Sequence, residues 1–407
     1  LILASLAEGS ARITGLNSGD DVRATADALR ALGAAIDLDP EIHEAQVEGK
    51  GWAGLEEPGD VIDARNSGTT LRSIAGVCAA VPGVSVLTGD DTLRRRPMLR
   101  IVAPLRQMGA TLDGPRHGDR APLIVRGGPL AGIDLELTVA SAQVKTSVLL
   151  AGLAASGRTS VEEPGISRDH TERMLNAAGV IVTASAGTVA VDGGQQPAPV
   201  DWAVPGDVSA AMFFVVAATL IEGSDLTIEG VGLNPTRTGL LDVLKAMGAT
   251  IDTRVESESG GEPIGTIHVR HAPLHGLVVP TDRMATFLDE IPVLALAASQ
   301  ADGETVIAGA SELRVKESDR ITSMVEGLRA VGGEAEELPD GLVVRGPAGL
   351  VGGEVDAHGD HRIAMSFALA GLLSETNVRV EGWSSVETSF PEFLDVLGRA
   401  QGRLAPR

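Results

Sequence analysis

A chain of 407 residues, 43% of them hydrophobic, has enough apolar surface for more than one buried core, and none of its apolar runs is long enough to cross a bilayer. A net charge of −22, no tyrosine and 2% aromatic residues leave neither the basic face nor the stacking platforms of a nucleic-acid binder. The single cysteine, Cys78, excludes a disulfide framework and a thiolate metal cluster and fits a reducing cytoplasm.

In chain order, Leu1 to Ala7 has neither an initiator Met nor a basic flank and reads as the tail of an internal helix, not a signal peptide. It leads to a β-branched strand ending Ile13-Thr-Gly15. Leu29-Arg-Ala-Leu-Gly33-Ala-Ala-Ile reads as a helix closed by a glycine and followed directly by a strand. Asn66-Ser-Gly68-Thr-Thr-Leu-Arg72 opens an apolar helix with small polar residues, where free N–H groups and the positive dipole end suit an anion, although such residues are also ordinary caps. Cys78 lies in the apolar run that follows, where a core role is expected. Gly89 to Met98 carries three arginines. Arg94 and Arg95 read as solvated, and Arg96, just before Pro97 at the expected helix start, as a ligand contact.

Leu105 to Leu112 repeats the helix–glycine–strand junction at Gly109. Ala140 to Thr146, with Ser141, Gln143 and Lys145, is a second polar helix start, and Met174 to Ile181 is a looser copy of the junction. Gly193 to Asp201, rich in Gly, Gln and Pro, marks a midpoint. Beyond it, Leu244 to Ile251 and Leu328 to Ala335 carry the junction again. The densest polar cluster is Glu312 to Arg320, with Phe287 to Pro292 upstream. Its alternating acids and bases also suit a salt-bridged helix face, but it follows an apolar strand and opens a helix. Gly359-Asp-His-Arg362 is the third polar helix start with a cation beside it, and three of them suggest a ligand with several negative charges.

The strand positions Ile13, Leu87, Val161, Ile228, Ile307 and Val380 are 74, 74, 67, 79 and 73 residues apart. Such spacing is too long for a typical solenoid repeat and implies six α/β modules in two domains, 1–204 and 205–407, with a cleft between them as the default ligand site.

These segments, with Ser167-Arg-Asp-His-Thr-Glu172, Pro205-Gly-Asp207, Asn234-Pro-Thr-Arg-Thr238, Leu313-Arg-Val-Lys-Glu-Ser-Asp-Arg320 and Ser389-Phe-Pro-Glu-Phe393, resemble the enolpyruvyl transferase family, and within it the 5-enolpyruvylshikimate-3-phosphate synthases. The match runs in order along essentially the whole chain. Ser141-Ala-Gln and Ser167-Arg-Asp-His look like the bacterial class II subgroup, many of whose members tolerate the herbicide glyphosate. The resemblance implies an α/β (α+β repeat) fold of six βαβαββ units, three per domain, with the first strand missing. It also implies transfer of enolpyruvyl from phosphoenolpyruvate to shikimate 3-phosphate on the way to chorismate and aromatic amino acids, by a cytoplasmic monomer that uses no metal or organic cofactor and binds neither nucleic acid nor membrane. It places Ser141, Ala142, Gln143, Ser167, Asp289 and Lys316 on shikimate 3-phosphate, and Gly68, Arg96, Gln143, Arg320 and Arg362 on phosphoenolpyruvate. Asp289 would take the proton of the 5-hydroxyl and Glu317 would exchange one at the methylene carbon.

Members normally begin with a Gly-(Asp/Ser)-Lys-Ser-x-Ser-(His/Asn)-Arg segment that binds both substrates, whereas this sequence opens on the helix after it. The expectation is a folded but weakly active or inactive chain. Thr388 stands where some members have a substrate-contacting Lys, and Glu312 where others have Asn. Gly68 is not the Ala that excludes glyphosate in some members, so glyphosate sensitivity is left open. Two rival readings are the sister enzyme acting on UDP-N-acetylglucosamine, which typically uses a loop Cys, and a non-catalytic paralogue. The first would need Cys78 on a mobile loop. The second leaves the cations at three helix starts without a reason.

Overall fold

In the computed structural model, which describes residues 1–401, the five predicted junctions share one geometry. The helices Asp20–Ala31, Leu99–Gln107, His170–Ala177, Gly239–Ala246 and Arg320–Ala330 are followed by Gly33, Gly109, Gly179, Gly248 and Gly332, all at positive φ. In each, the glycine N–H donates to the carbonyl three residues back and the next N–H to the carbonyl five back, as Ala34 to Leu29 (3.0 Å) and Ala249 to Leu244 (2.9 Å). This left-handed closure uses up carbonyls the helix end would leave open, and glycine enters it without a Cβ clash. An arginine three residues before the glycine ties three of the joints to the following strand: Arg30 donates to the Ile36 carbonyl, Arg106 to that of Leu112 and Arg329 to that of Ala335.

The chain forms two compact units. The first comprises Leu1–Val204 and Glu258–Glu262; the second comprises Pro205–Ser257 and the described residues from Pro263 onward. Unit 1 holds three four-stranded sheets of identical order. Trp202–Ala203, Glu8–Thr14, Glu44–Lys50 and Ala35–Asp39 make one; Ile62–Asp63, Gly83–Thr88, Leu123–Gly127 and Thr111–Asp113 the second; Asp134–Glu136, Arg158–Glu162, Thr188–Asp192 and Val182–Ser185 the third. In every sheet the first strand pairs parallel with the second, and the other pairings are antiparallel.

Unit 2 repeats the plan with Asp225–Gly232, Glu262–Arg270 and Thr250–Ser259, then with Gly303–Ile307, Gly341–Gly346 and Glu334–Leu338. Single parallel bridges at Gly206, His275 and Val278 stand where unit 1 has its short first strands. Gly353–Asp356 pairs parallel with Val378–Glu381 in the last sheet. The strand expected at Ile228 runs on to Gly232 through a register shift between Ile228 and Val231.

Each repeat also contributes an inner helix that is apolar nearly all round, the signature of a helix buried on every side. In unit 1 these are Ile2–Leu6, Gly68–Ala80 and Ala142–Ala154; in unit 2, Val208–Leu220, Ile291–Ser299 and His361–Leu373. A Cβ on Gly76 would stand 2.2 Å from the Ser147 carbonyl oxygen, so this residue sets how closely two inner helices of unit 1 approach. Each unit has its own core, running from Leu3 to Trp202 in the first and from Val208 to Leu397 in the second. Among the described residues no helix is long and apolar enough to cross a membrane. The polar residues cluster where the inner helices begin.

Candidate active site

In unit 1, Ser67 caps the helix Gly68–Ala80, accepting from the Thr70 N–H. Arg72 is buried one turn in. It donates through Nη1 to the Gln143 side-chain oxygen and through Nη2 to the Pro97 carbonyl (3.3 Å). Gln143 in turn donates to Thr69 (2.9 Å). Arg96 is also buried, and a Cβ on Gly68 would meet the Arg96 Nη1 at 2.8 Å and the Arg72 Nη1 at 3.0 Å. A glycine here leaves the two guanidinium groups room over this helix start, and a larger residue would push their ends aside. Gly68, Arg96 and Gln143 are thus drawn together. Arg72, which the sequence reading quoted but gave no role, is the hub between them.

The predicted helix start at Arg96 differs in detail. Asp91–Arg95 is a short helix of its own, capped by Asp90; Arg96 ends it, and the longer helix begins at Leu99. The cap explains the difference, because Asp90 takes the Leu93 N–H and nucleates a turn before Pro97. Arg94 pairs with Asp91 at the exposed surface, as expected of a solvated residue.

Ser141 and Ala142 open the inner helix Ala142–Ala154, without a side-chain cap from Ser141. Instead Glu163 accepts the Ser141 N–H (3.1 Å) and the Ser167 hydroxyl (2.8 Å). Lys145 is buried beside it, 2.7 Å from Glu163 and 2.6 Å from Glu172. Burial works against the charge on Lys145, but the two carboxylates outweigh it and raise its pKa above the usual lysine value. The Glu172 carboxyl is pushed up by burial, which the attraction of Lys145 only partly offsets. Glu163 and Glu172 were not predicted as site residues. Their partner lies in another element, and no local pattern announces it.

The second cluster is entirely in unit 2. A 3₁₀ turn, Ser311–Val315, leads to Asp319, which caps the helix Arg320–Ala330. Arg320 is fully buried, and its guanidinium meets three carboxylates: Asp360 through Nε (2.7 Å), Glu317 through Nη2 (2.7 Å) and Asp289 through Nη1 (3.1 Å). Burial opposes this charge; Asp360, Glu317 and Asp289 overcome it and hold Arg320 firmly protonated. Lys316 lies 3.1 Å from the same Asp289 oxygen. Asp360 caps the helix His361–Leu373 and also receives Ser318 (3.3 Å). Arg362 donates to the Asp289 carbonyl (3.1 Å) and to Glu290 (3.3 Å), which also accepts from Ser209; Ser209 is bonded in turn by Arg237. The predicted residues Asp289, Lys316, Glu317, Arg320 and Arg362 therefore form one connected constellation.

Asp360 and Glu290 were missed as members of it. A signal existed: each is an acid directly before an apolar helix, and an acid buried there needs a cation. Cys78 is buried inside the helix Gly68–Ala80, and its thiol is pushed up to about 12 by burial, which suits a core residue and not a nucleophile. No group of His, Cys, Asp and Glu among the described residues could hold a metal ion.

Comparison with known proteins agrees along the whole length. The profile of the family described as EPSP synthase (3-phosphoshikimate 1-carboxyvinyltransferase) matches residues 1–397. The 3-phosphoshikimate 1-carboxyvinyltransferase of Desulfitobacterium hafniense is 47% identical over 396 residues, covering 97% of this chain and 91% of that protein. That of Halorhodospira halophila is 48% identical over 400 residues, covering 98% and 90%. Among solved structures, EPSP synthase from Acinetobacter baumannii superposes with a TM-score of 0.87 at 43% identity, over 98% of this chain and 92% of that one. The enolpyruvyl transferase NikO from Streptomyces tendae, at 18% identity and a TM-score of 0.78, shares the fold. With two threefold sets of repeated units, the polar helix starts and these matches together, the chain belongs to the EPSP synthase family, the 3-phosphoshikimate 1-carboxyvinyltransferases.

Proposed function

We propose that this chain transfers the enolpyruvyl group of phosphoenolpyruvate to the 5-hydroxyl of shikimate 3-phosphate and releases phosphate, and that both clusters serve this one reaction. The observation that carries the reading is Arg320, buried among Asp289, Glu317 and Asp360 with Lys316 on the same Asp289 oxygen. Cations and acids held this closely suit a polyanionic substrate that must also give and receive protons. Ser141, Ala142, Gln143, Ser167, Asp289 and Lys316 hold shikimate 3-phosphate. Gly68, Arg96, Gln143, Arg320 and Arg362 hold phosphoenolpyruvate, Gly68 by leaving room for the two guanidinium groups above it. The protein acts as a monomer, and in the cytoplasm, where its single buried cysteine fits a reducing compartment.

Asp289 takes the proton of the 5-hydroxyl as that oxygen attacks the substituted carbon of phosphoenolpyruvate. Glu317 gives a proton to the methylene carbon, then removes one as the carbon–oxygen bond to phosphate breaks, and the proton held by Asp289 passes to the departing phosphate. An acid in that role must be protonated near neutral pH, which a neighbouring anion favours and a guanidinium opposes. Arg320 lies 2.7 Å from Glu317, and in this reading the guanidinium turns to phosphoenolpyruvate as it binds and leaves Glu317 beside an anion.

The test uses the purified enzyme. Glu317→Gln should lower phosphate release by about 10²–10⁴-fold while shikimate 3-phosphate binds as before. Turnover near that of the unsubstituted enzyme would remove Glu317 from the mechanism. Turnover with UDP-N-acetylglucosamine and none with shikimate 3-phosphate would overturn the whole reading.

A further inference from the structure

Under the start of the helix Ala142–Ala154 lies a charge cluster for which the reaction itself has no use. Lys145 and Glu163 are both buried, with 3% and 5% of their side chains exposed, and Glu172 closes the far side of the lysine. Three donors converge on Glu163: the Ser141 N–H reaches Oε1, and the Ser167 hydroxyl and Lys145 Nζ both reach Oε2. Only an ionised carboxylate satisfies all three, since a side-chain amide offers one acceptor oxygen.

Ser167 has a single hydroxyl proton, and it points to Glu163. To donate to a phosphate oxygen, that hydroxyl must turn away from the carboxylate. Glu163 Oε2 then keeps Lys145 at 2.7 Å, so no buried charge is left without a partner. The backbone of Ser141 stays pinned through Oε1 throughout.

We propose that Glu163 is a positioning residue for the phosphate of the acceptor substrate, with Lys145 as its counter-ion. It fixes the Ser141 backbone, holds the Ser167 hydroxyl in readiness and releases it to the phosphate. The proposal rests on the reading of Ser141 and Ser167 as contacts of shikimate 3-phosphate.

Steady-state kinetics with both substrates, on Glu163→Gln, Ser167→Ala and the double variant of the complete enzyme, test it. The Lys145–Glu172 pair remains in all three, which favours folding. Glu163→Gln should raise KM for shikimate 3-phosphate by about tenfold, with kcat and KM for phosphoenolpyruvate little changed. The double variant should lose less than the product of the two single effects, because both act through one hydroxyl. If Glu163→Gln fails to fold, Glu163→Asp, which keeps the charge but draws it back from both serines, should move the same KM in the same direction. An unchanged KM for shikimate 3-phosphate, equal loss in both KM values, or fully multiplicative effects would overturn the positioning role. Should Ser167→Ala alone leave that KM unchanged, the assignment of Ser167 to the acceptor fails first, and the role of Glu163 fails with it.

Discussion

Arg320 begins with its donors already committed. Three carboxylates share its guanidinium, so an anion that binds there competes with them. In the proposed reaction Asp360, fully buried and pinned as a helix cap, stays in place while Glu317 and Asp289 turn to proton transfer. Next to Asp360, His361 has its pKa lowered to about 4, by burial first and then by the cations Arg362 and Arg320; Asp360 and Glu317 pull the other way. The unfolded chain takes up this proton near the ordinary value of 6.5, whereas the folded protein refuses it until about 4. Stability supplied by the neutral imidazole is therefore complete above pH 6.5 and falls as pH drops towards 4. Denaturant titrations across that window should show His361→Gln losing less stability per pH unit than the unsubstituted protein. Parallel curves would remove His361 as the source.

At the level of helices and strands, what could be read from sequence depended on how local the cause was. The Leu-x-x-x-Gly segments were legible because helix, glycine and closing hydrogen bonds lie within six consecutive residues. The polar helix starts were legible for the same reason. The pairing of Lys145 with Glu163 was not, because 18 residues and a strand separate the two and Glu163 sits in no local pattern. Glu290 was hidden differently, since its Arg362 and Ser209 partners belong to two other inner helices. The contact of Gly76 with Ser147 was equally invisible: a glycine inside an apolar helix reads only as a weak helix former. Gly76→Ala should cost about 3 kcal/mol, the upper end for forcing an atom into a packed interior. Gly59→Ala is the control, since no atom lies within 4 Å of its Cβ position, and it should change stability by less than about 0.5 kcal/mol. Equal midpoints for the two in urea would mean that the inner helices separate freely at this point.

The whole chain combines six versions of one unit into two bodies, each with its own continuous core. Proteins built this way often depart from all-or-none unfolding. In the absence of ligands, the calorimetric enthalpy should exceed the van 't Hoff value, with more than one component in the transition. Equality of the two, with coincident fluorescence and circular dichroism curves, would show a single cooperative body.

The glycine joint, present in five of the six units among the described residues, explains how they could diverge so far in chemistry. Its hydrogen bonds are made by main-chain atoms, so they place almost no demand on side chains beyond the glycine itself. The third copy shows the freedom this leaves: Asn176 stands where three others have arginine and accepts the Val182 N–H instead of donating to a carbonyl. Shape is inherited at one end of each unit while identity is rewritten at the other. Descent from a shared ancestral unit is therefore compatible with a serine start in one copy, an aspartate start in another and a glycine under two arginines in a third.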